Sequence, residues 1–169
     1  MTDTYDVLRS ATFSDDGRYR YVLRRLWNVT QPGVCWIMNN PSVADGEVDD
    51  PTVRKCVGFS QRWGKGHLVI VNLFAYVATS PAALVSADRH AVDVVGAGNN
   101  EEIRQAIRDA TLVVAAWGAS VPAPRQVQVV TSAAIASYKT LRCLGVTASG
   151  APRHPGRLGY DTPLVDWPG

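Results

Sequence analysis

Residues 37–52 read IMNNPSVADGEVDDPT. A short apolar run ends in two amides, Asn39 and Asn40, followed by Pro41 and Ser42. Four acids, Asp45, Glu47, Asp49 and Asp50, then fall within six residues. A side-chain amide offers donors and an acceptor, so it can hold a water or pair with a planar polar ligand. Clustered carboxylates can activate water or hold a divalent cation. Plainer explanations exist for both: Asn tolerates left-handed turn geometry, and acids ahead of a helix often form a solvated loop ending in a cap. Three more polar or aromatic positions stand out downstream. Asn72 interrupts the apolar run HLVIVNLFAY (67–76), Trp117-Gly118 closes TLVVAAWG (111–118), and His154 lies in PRHPGRL (152–158).

The elements that must position these residues follow from periodicity. ATFSDDGRYRYVLRRLW (11–27) predicts a hairpin, with Asp16-Gly17 as a two-residue turn and Tyr19, Tyr21 and Leu23 alternating with Arg18, Arg20 and Arg24. GVCWIMN (33–39), HLVIVNLFAY, TLVVAAWG and TLRCLGV (140–146) are four continuous apolar runs, each a buried strand. Asp50-Pro51 opens a helix, with Asp at the cap and Pro at the first helical position. Its stripe is Val53, Val57 and Ser60, flanked by Cys56, Phe59 and Trp63. NNEEIRQAIRDA (99–110) is a capped amphipathic helix, and RQVQVVTSAAIASY (125–138) a further helix despite its β-branched residues.

Apolar strands alternating with helices predict an α/β domain. The expected architecture is a three-layer αβα sandwich around a central, mainly parallel four-stranded sheet, plus an N-terminal antiparallel hairpin. The 169 residues make a single domain, 1–169, with residues 1–10 and 160–169 peripheral. In open α/β sheets ligands bind outside the carboxyl ends of the strands. The four strands end at Asn39-Asn40-Pro41-Ser42, at Asn72, at Trp117-Gly118, and through Gly145 toward His154, so these residues are expected on one rim.

An apolar share of 46% and a charged share of 19% describe an ordinary soluble domain. No apolar run reaches the ~20 residues of a membrane helix, and the polar start MTDTYDVLRS is not a secretory leader, so a cytoplasmic location without a membrane partner is expected. Three scattered cysteines, Cys35, Cys56 and Cys143, form no CxxC pair, which argues against a zinc ribbon or a four-cysteine cluster. Cys35 and Cys143 read as buried structural thiols. The net charge of +2 permits a polyanionic partner without requiring one. GAGNN (96–100) and WGKG (63–66) match neither dinucleotide nor phosphate-binding glycine patterns.

Taken in order, the motifs resemble the uracil-DNA glycosylase superfamily. Where mismatch-type members carry GINPG after the first strand, this chain has MNNPS (38–42). LLLNAVLT corresponds to IVNLFAYVAT (70–79), LLWGSYA to VAAWGAS (114–120), and HPSPL to HPGRL (154–158). NNPSVADGEVDDPTVRKCVGFSQRWG, VNLFAY, AAWGA and CLGVTASGAPRHPGRL also resemble an uncharacterised domain family of bacteria and phages, over residues 18 to 158. The superfamily resemblance implies a DNA base N-glycosylase acting on a modified or non-standard base in DNA or a nucleotide, with no cofactor and no metal. Asn40 would then position water, Asn39 and Asn72 would read the base, and His154 would stabilise the departing base. Trp117 and Phe74 or Phe59 would contact or stack on it. Ser42, Lys65, Arg125, Arg153 and Arg157 would meet DNA, and Leu158 would wedge into the duplex.

The departures qualify this. Strong uracil glycosylases carry aspartate where Asn40 stands, which implies weak activity on plain uracil and leaves room for Asp49 or Asp50 to activate water instead. Gly156 and Arg157 replace the serine and second proline of HPSPL. Two other readings stand beside it. One is a Mg²⁺-dependent phosphoester hydrolase built on Asp45, Glu47, Asp49 and Asp50. The other is a non-catalytic nucleic-acid or nucleotide-binding module. Base-modifying or base-exchange chemistry in the same pocket is a variant of the first reading.

Overall fold

The computed structural model describes residues 8–169, and the first seven residues of the predicted N-terminal periphery lie outside it. One seven-stranded sheet organises the chain, with strands β1 (Leu8–Phe13), β2 (Arg20–Leu26), β3 (Gly33–Met38), β4 (His67–Asn72), β5 (Leu112–Ala115), β6 (Leu141–Cys143) and β7 (Val165–Asp166). Their order is β1-β2-β4-β3-β5-β6-β7. The four predicted apolar strands are mutual neighbours and parallel. The sheet as a whole is nevertheless mixed and larger than expected. The hairpin strand β2 joins it antiparallel to β4, and β7 adds antiparallel to β6 at the far edge.

β3 explains why the centre reads as continuous apolar sequence. All six of its residues are buried. Val34, Trp36 and Met38 face one core, and Cys35 and Ile37 face the other, because successive side chains alternate across a strand. The first core packs against α1 (Pro51–Arg62), which contributes Val53, Cys56 and Phe59. The second packs against α2 (Pro81–Arg89), α3 (Asn99–Asp109) and α4 (Pro124–Ala136). Cys35, Cys56 and Cys143 are buried free thiols, and burial pushes the Cys35 thiol up to about 12.

α1 begins as its sequence predicts. The Asp50 side chain accepts from the Val53 N–H at 2.8 Å, and Pro51 follows. Its buried stripe runs Val53, Cys56, Phe59 and Ser60, with Val57 only partly covered. The buried Ser60 hydroxyl donates to Cys56 O and accepts from Trp36 Nε1, so no polar atom is stranded there. α2 carries the same start signal, Ser80-Pro81, which the sequence reading passed over. α3 lacks the expected side-chain cap. Gly98 occupies that position, and Glu101 and Glu102 in the first turn complement the helix dipole instead.

Three local expectations are corrected. Asp16-Gly17 is not a two-residue turn: Gly17 N–H donates to Ser14 O, Ser14 N–H donates to Tyr19 O, and a longer loop spans the gap between strands. Arg20, which alternates with Tyr19 and Tyr21, is not on a solvent face, being 3% exposed. The tail is not loose: β7 pairs with β6, and Trp167 packs edge-on against Trp117 at 4.9 Å between centroids. Among the described residues, no helix is long and apolar enough to cross a membrane.

Arg25 decides how the acidic stretch sits. Its Nε and Nη2 both reach Asp49 Oδ1 at 2.7 Å, Nη2 also donates to Asp45 O at 2.8 Å, and Nη1 donates to Arg24 O at 2.8 Å. Arg9 adds a bond to Glu47 O and an ion pair with Asp49. Asp45 folds back on the backbone N–H groups of Glu47 and Val48, which hold its carboxyl below the usual range. The acids are therefore clamped to the sheet by arginines. Removing Asp49 leaves a guanidinium buried without its carboxylate, so Asp49→Ala should lower stability by about 3–5 kcal/mol. Urea denaturation measures this. A loss below about 1 kcal/mol, the range of a surface pair, would show that the clamp does not anchor the loop.

Candidate functional site

The three central parallel strands release their chain ends beside one another, and the helices that follow them leave on opposite faces. α1, after β3, lies on one face, while α2 and α3 after β4 and α4 after β5 lie on the other. Such a switch point opens a crevice at the strand ends. A cavity of about 290 Å³ lies there. It is near the lower end of the ~300–1,000 Å³ typical of small-molecule sites.

Seven of the predicted residues line this cavity together: Asn39, Asn40, Ser42, Asp50, Asn72, Trp117 and His154. Met38, Val53 and Ile70 form apolar wall. The loops that carry them are sewn together. Leu73 N–H donates to Met38 O, Phe74 N–H to Asn39 O and Ala78 N–H to Pro41 O, so the exits of β3 and β4 run side by side. On the far side Gly118, at φ 72°, turns sharply after β5 and its N–H donates to Pro152 O. Arg153 N–H donates to Gly145 O. These two bonds deliver His154 to the rim.

Asn72 holds the unusual position. It is 1% exposed, and neither its Nδ2 nor its Oδ1 has a hydrogen-bond partner. Strand alternation from Leu68 and Ile70 puts its side chain on the α1 face, where the cavity is. A buried amide left unpaired costs about 1–3 kcal/mol. Its own backbone is secured from behind. Asn99 Nδ2 donates to both Asn72 O and Leu73 O, and Gln126 Nε2 donates to Leu73 O at 2.8 Å. Asn99 and Gln126 were not foreseen as supports. The signal available was a polar residue at a buried helical position on α3 and on α4.

Asn40 is differently placed. Its Nδ2 donates to Pro41 O at 2.9 Å and Ala78 O at 3.0 Å, and its Oδ1 accepts from Asn39 Nδ2 at 3.0 Å. Both donors are used to fix the loops. Asn39 Oδ1, by contrast, is buried without a partner. Asp50 presents a carboxylate to the cavity while its Oδ1 caps α1. His154 Nδ1 accepts from the Gly156 N–H at 3.1 Å, which leaves the proton of the neutral ring on Nε2. Burial of part of the ring holds its pKa below 6.5, against the pull of Asp50. Arg20 also lines the cavity and was not foreseen.

Other predicted residues lie elsewhere. Asp49 is held by Arg25 and Arg9, away from the cavity wall. Phe74 faces a separate apolar groove with Leu84, Val94 and Arg125, on the α2 side of the sheet. Phe59 is fully buried among Trp36, Trp63 and Tyr160, so Trp117 is the aromatic side chain at the site. Leu158 is a core residue at 6% exposure and cannot serve as a wedge as it stands. Lys65 sits at the opposite end of the sheet, beside Thr111 at the start of β5. Arg153 and Arg157 are exposed on either side of His154 in sequence. Among the described residues no group of three His, Cys, Asp or Glu side chains converges as a cation site, so Asp45, Glu47, Asp49 and Asp50 do not assemble one.

Because the folded pKa of His154 is depressed, its neutral form stabilises the fold fully above about pH 6.5 and that contribution is lost as pH falls below it. The melting temperature should therefore fall as pH drops below about 6.5, and His154→Gln should flatten that part of the profile. An unchanged slope in the variant would place the titration elsewhere.

No curated protein and no solved structure is significantly similar to this chain. Residues 20–156, a span running from Arg20 through all the cavity residues to Gly156, match the family described as "Protein of unknown function (DUF1643)". The chain belongs to that family.

Proposed function

We propose that the cavity receives a nucleobase and that the protein is a DNA base N-glycosylase-like enzyme acting on a modified or non-standard base. The observation that carries this reading is the Asn72 amide, buried at the end of β4 with donor and acceptor both unpaired. A nucleobase edge presents adjacent donors and acceptors in one plane, which an amide matches. Trp117 supplies an apolar surface beside it, and the cavity volume suits a base but not a base pair. A base in a duplex must leave the stack to enter such a site.

The chemistry assigned is hydrolysis. The C1′–N bond breaks with its electron pair moving to the base, and a water oxygen bonds to C1′. One water proton is released, and the base departs as an anion that is protonated later. Asp50 is the cavity carboxylate assigned to hold the attacking water and accept its proton, which the weakly basic amide of Asn40 cannot do. His154, with its proton on Nε2, donates a hydrogen bond to the oxygen where negative charge develops. Arg153 and Arg157 are the exposed cations available for phosphate near the mouth.

A second reading, a nucleotide-binding module without turnover, is favoured by the same Asn40 geometry, since the amide expected to position water is spent on the backbone. Base release separates the two. The protein is incubated with genomic DNA of varied modification and with uracil, mismatch and hydroxymethyl-base oligonucleotides, and free bases are read by mass spectrometry. Release should fall about 10²–10³-fold in His154→Ala, the loss typical of one such donor. It should fall comparably in Asp50→Asn, which keeps a good helix cap. Asn72→Asp should change the base accepted. No release from any substrate, with binding retained, would leave the non-catalytic reading.

A further inference from the structure

Two arginines of β2 lie buried under the same acidic loop, and only one has its side edge filled. Arg25 aims Nε and Nη2 at the Asp49 carboxylate. Arg20, five residues earlier and 3% exposed, makes one bond, from Nη1 to Ala44 O. Its Nε is buried without a partner. Among the described residues its Nη2 has none, and Arg20 belongs to no ion pair. Nε and Nη2 together are the side edge of a guanidinium, two parallel N–H donors spaced to take the two oxygens of a carboxylate or phosphate. Arg20 lines the same cavity as Asn72 and Asp50.

The surrounding charges agree with an unfilled place. Burial, joined by the repulsion of Arg25, outweighs the attraction of Asp50 and Asp45 and brings the Arg20 pKa down to about 10. The guanidinium stays charged at neutral pH yet lacks the counter-charge that Asp49 gives Arg25. A neutral base can hydrogen-bond to that edge through its ring acceptors but brings no counter-charge to it. A ligand with two adjacent anionic oxygens would fill both N–H groups of that edge and supply the negative charge that Asp49 supplies to Arg25.

We infer that the ligand carries a carboxylate or phosphate gripped side-on by Arg20 while its base edge pairs with Asn72. This rests on the nucleobase reading above and narrows it. The two oxygens come either from an acidic substituent on the base or from the phosphate of a nucleotide.

The test is calorimetric binding to the intact protein of matched probes: uracil and cytosine against their 5-carboxy forms, uridine against uridine monophosphate, and inorganic phosphate alone. Wild type should bind one anionic member at least tenfold tighter than its neutral parent, and the pair that shows this names the source. Arg20→Gln should abolish the advantage, and Arg20→Lys should reduce it by losing the fork while keeping the charge. Because the preference is read first in wild type, a variant that fails to fold does not remove the test. If neutral and anionic forms bind within twofold of each other, the inference is overturned. Uracil or cytosine binding that Asn72→Ala weakens would then leave the nucleobase reading standing. If only inorganic phosphate binds, and does so through Arg20, the anion edge stands and the nucleobase reading falls. No binding by any probe overturns both.

Discussion

A guanidinium taken out of water must be surrounded by acceptors, and Arg25 on β2 meets that demand with the chain that follows β3. Its fork takes Asp49, and its remaining N–H groups take main-chain carbonyls of Asp45, Arg24 and Ser10. One buried cation thus joins β1, β2 and the acidic loop. The loop leads straight into Asp50, which caps α1 and forms cavity wall. The position of the helix start and the shape of the site both follow from where Arg25 holds residues 45–49. Of the acids that look like a metal cluster in sequence, Asp49 is the carboxylate that makes a buried arginine tolerable, and Asp45 adds its main-chain carbonyl.

The cavity follows from a second constraint, the parallel register of β4, β3 and β5. Met38 pairs with Asn72 and Ile37 with Ala115, so the strands end nearly level. Chain exits from level parallel strands diverge toward opposite faces, and the space between them cannot be filled by the sheet itself. The chain closes it partially with Asn40, whose amide ties two loops, and with the Gly118 turn that carries the His154 segment inward. Asn72 remains unpaired in the middle. Asn99 and Gln126 occupy the backbone carbonyls of Asn72 and Leu73, so the strand end cannot rotate to satisfy its own side chain. A rigid backbone thus stands behind an unsatisfied amide, which is the preorganisation that the proposed base recognition would use.

Much of this was legible from residue order. Continuous apolar runs gave the four parallel strands because a strand covered on both faces has no solvent side to mark with polar residues. Asp50-Pro51 gave the start of α1, since capping and proline geometry are local. Placing Asn39, Asn72, Trp117 and His154 on one rim needed only the rule that ligands bind at the carboxyl ends of parallel strands. The misses have equally physical causes. Arg20 alternates with tyrosines as a surface residue would, and its burial depends on β1 and the acidic loop folding over β2. β7 is two residues long, too short for periodicity to register. Leu158 sits in a short Pro- and Gly-containing stretch with no periodicity to mark it as apolar core, yet it completes the core beneath α1.

The order and type of the central elements, and which residues reach the strand ends, are properties of local sequence pattern, because alternation, capping and turn preference act over a few residues. Which polar groups are left open is a different matter. Asn39 and Asn40 are adjacent and chemically identical, yet Asn40 is bonded to Pro41 and Ala78 while Asn39 keeps a buried free oxygen. Arg20 and Arg25 share a strand, yet Asp49 fills only Arg25. Asp49 and Asp50 are neighbours, yet only Asp50 lines the cavity. Hydrogen-bond partners separated by tens of residues settle each of these pairs, so they emerge only when the distant segments are packed together.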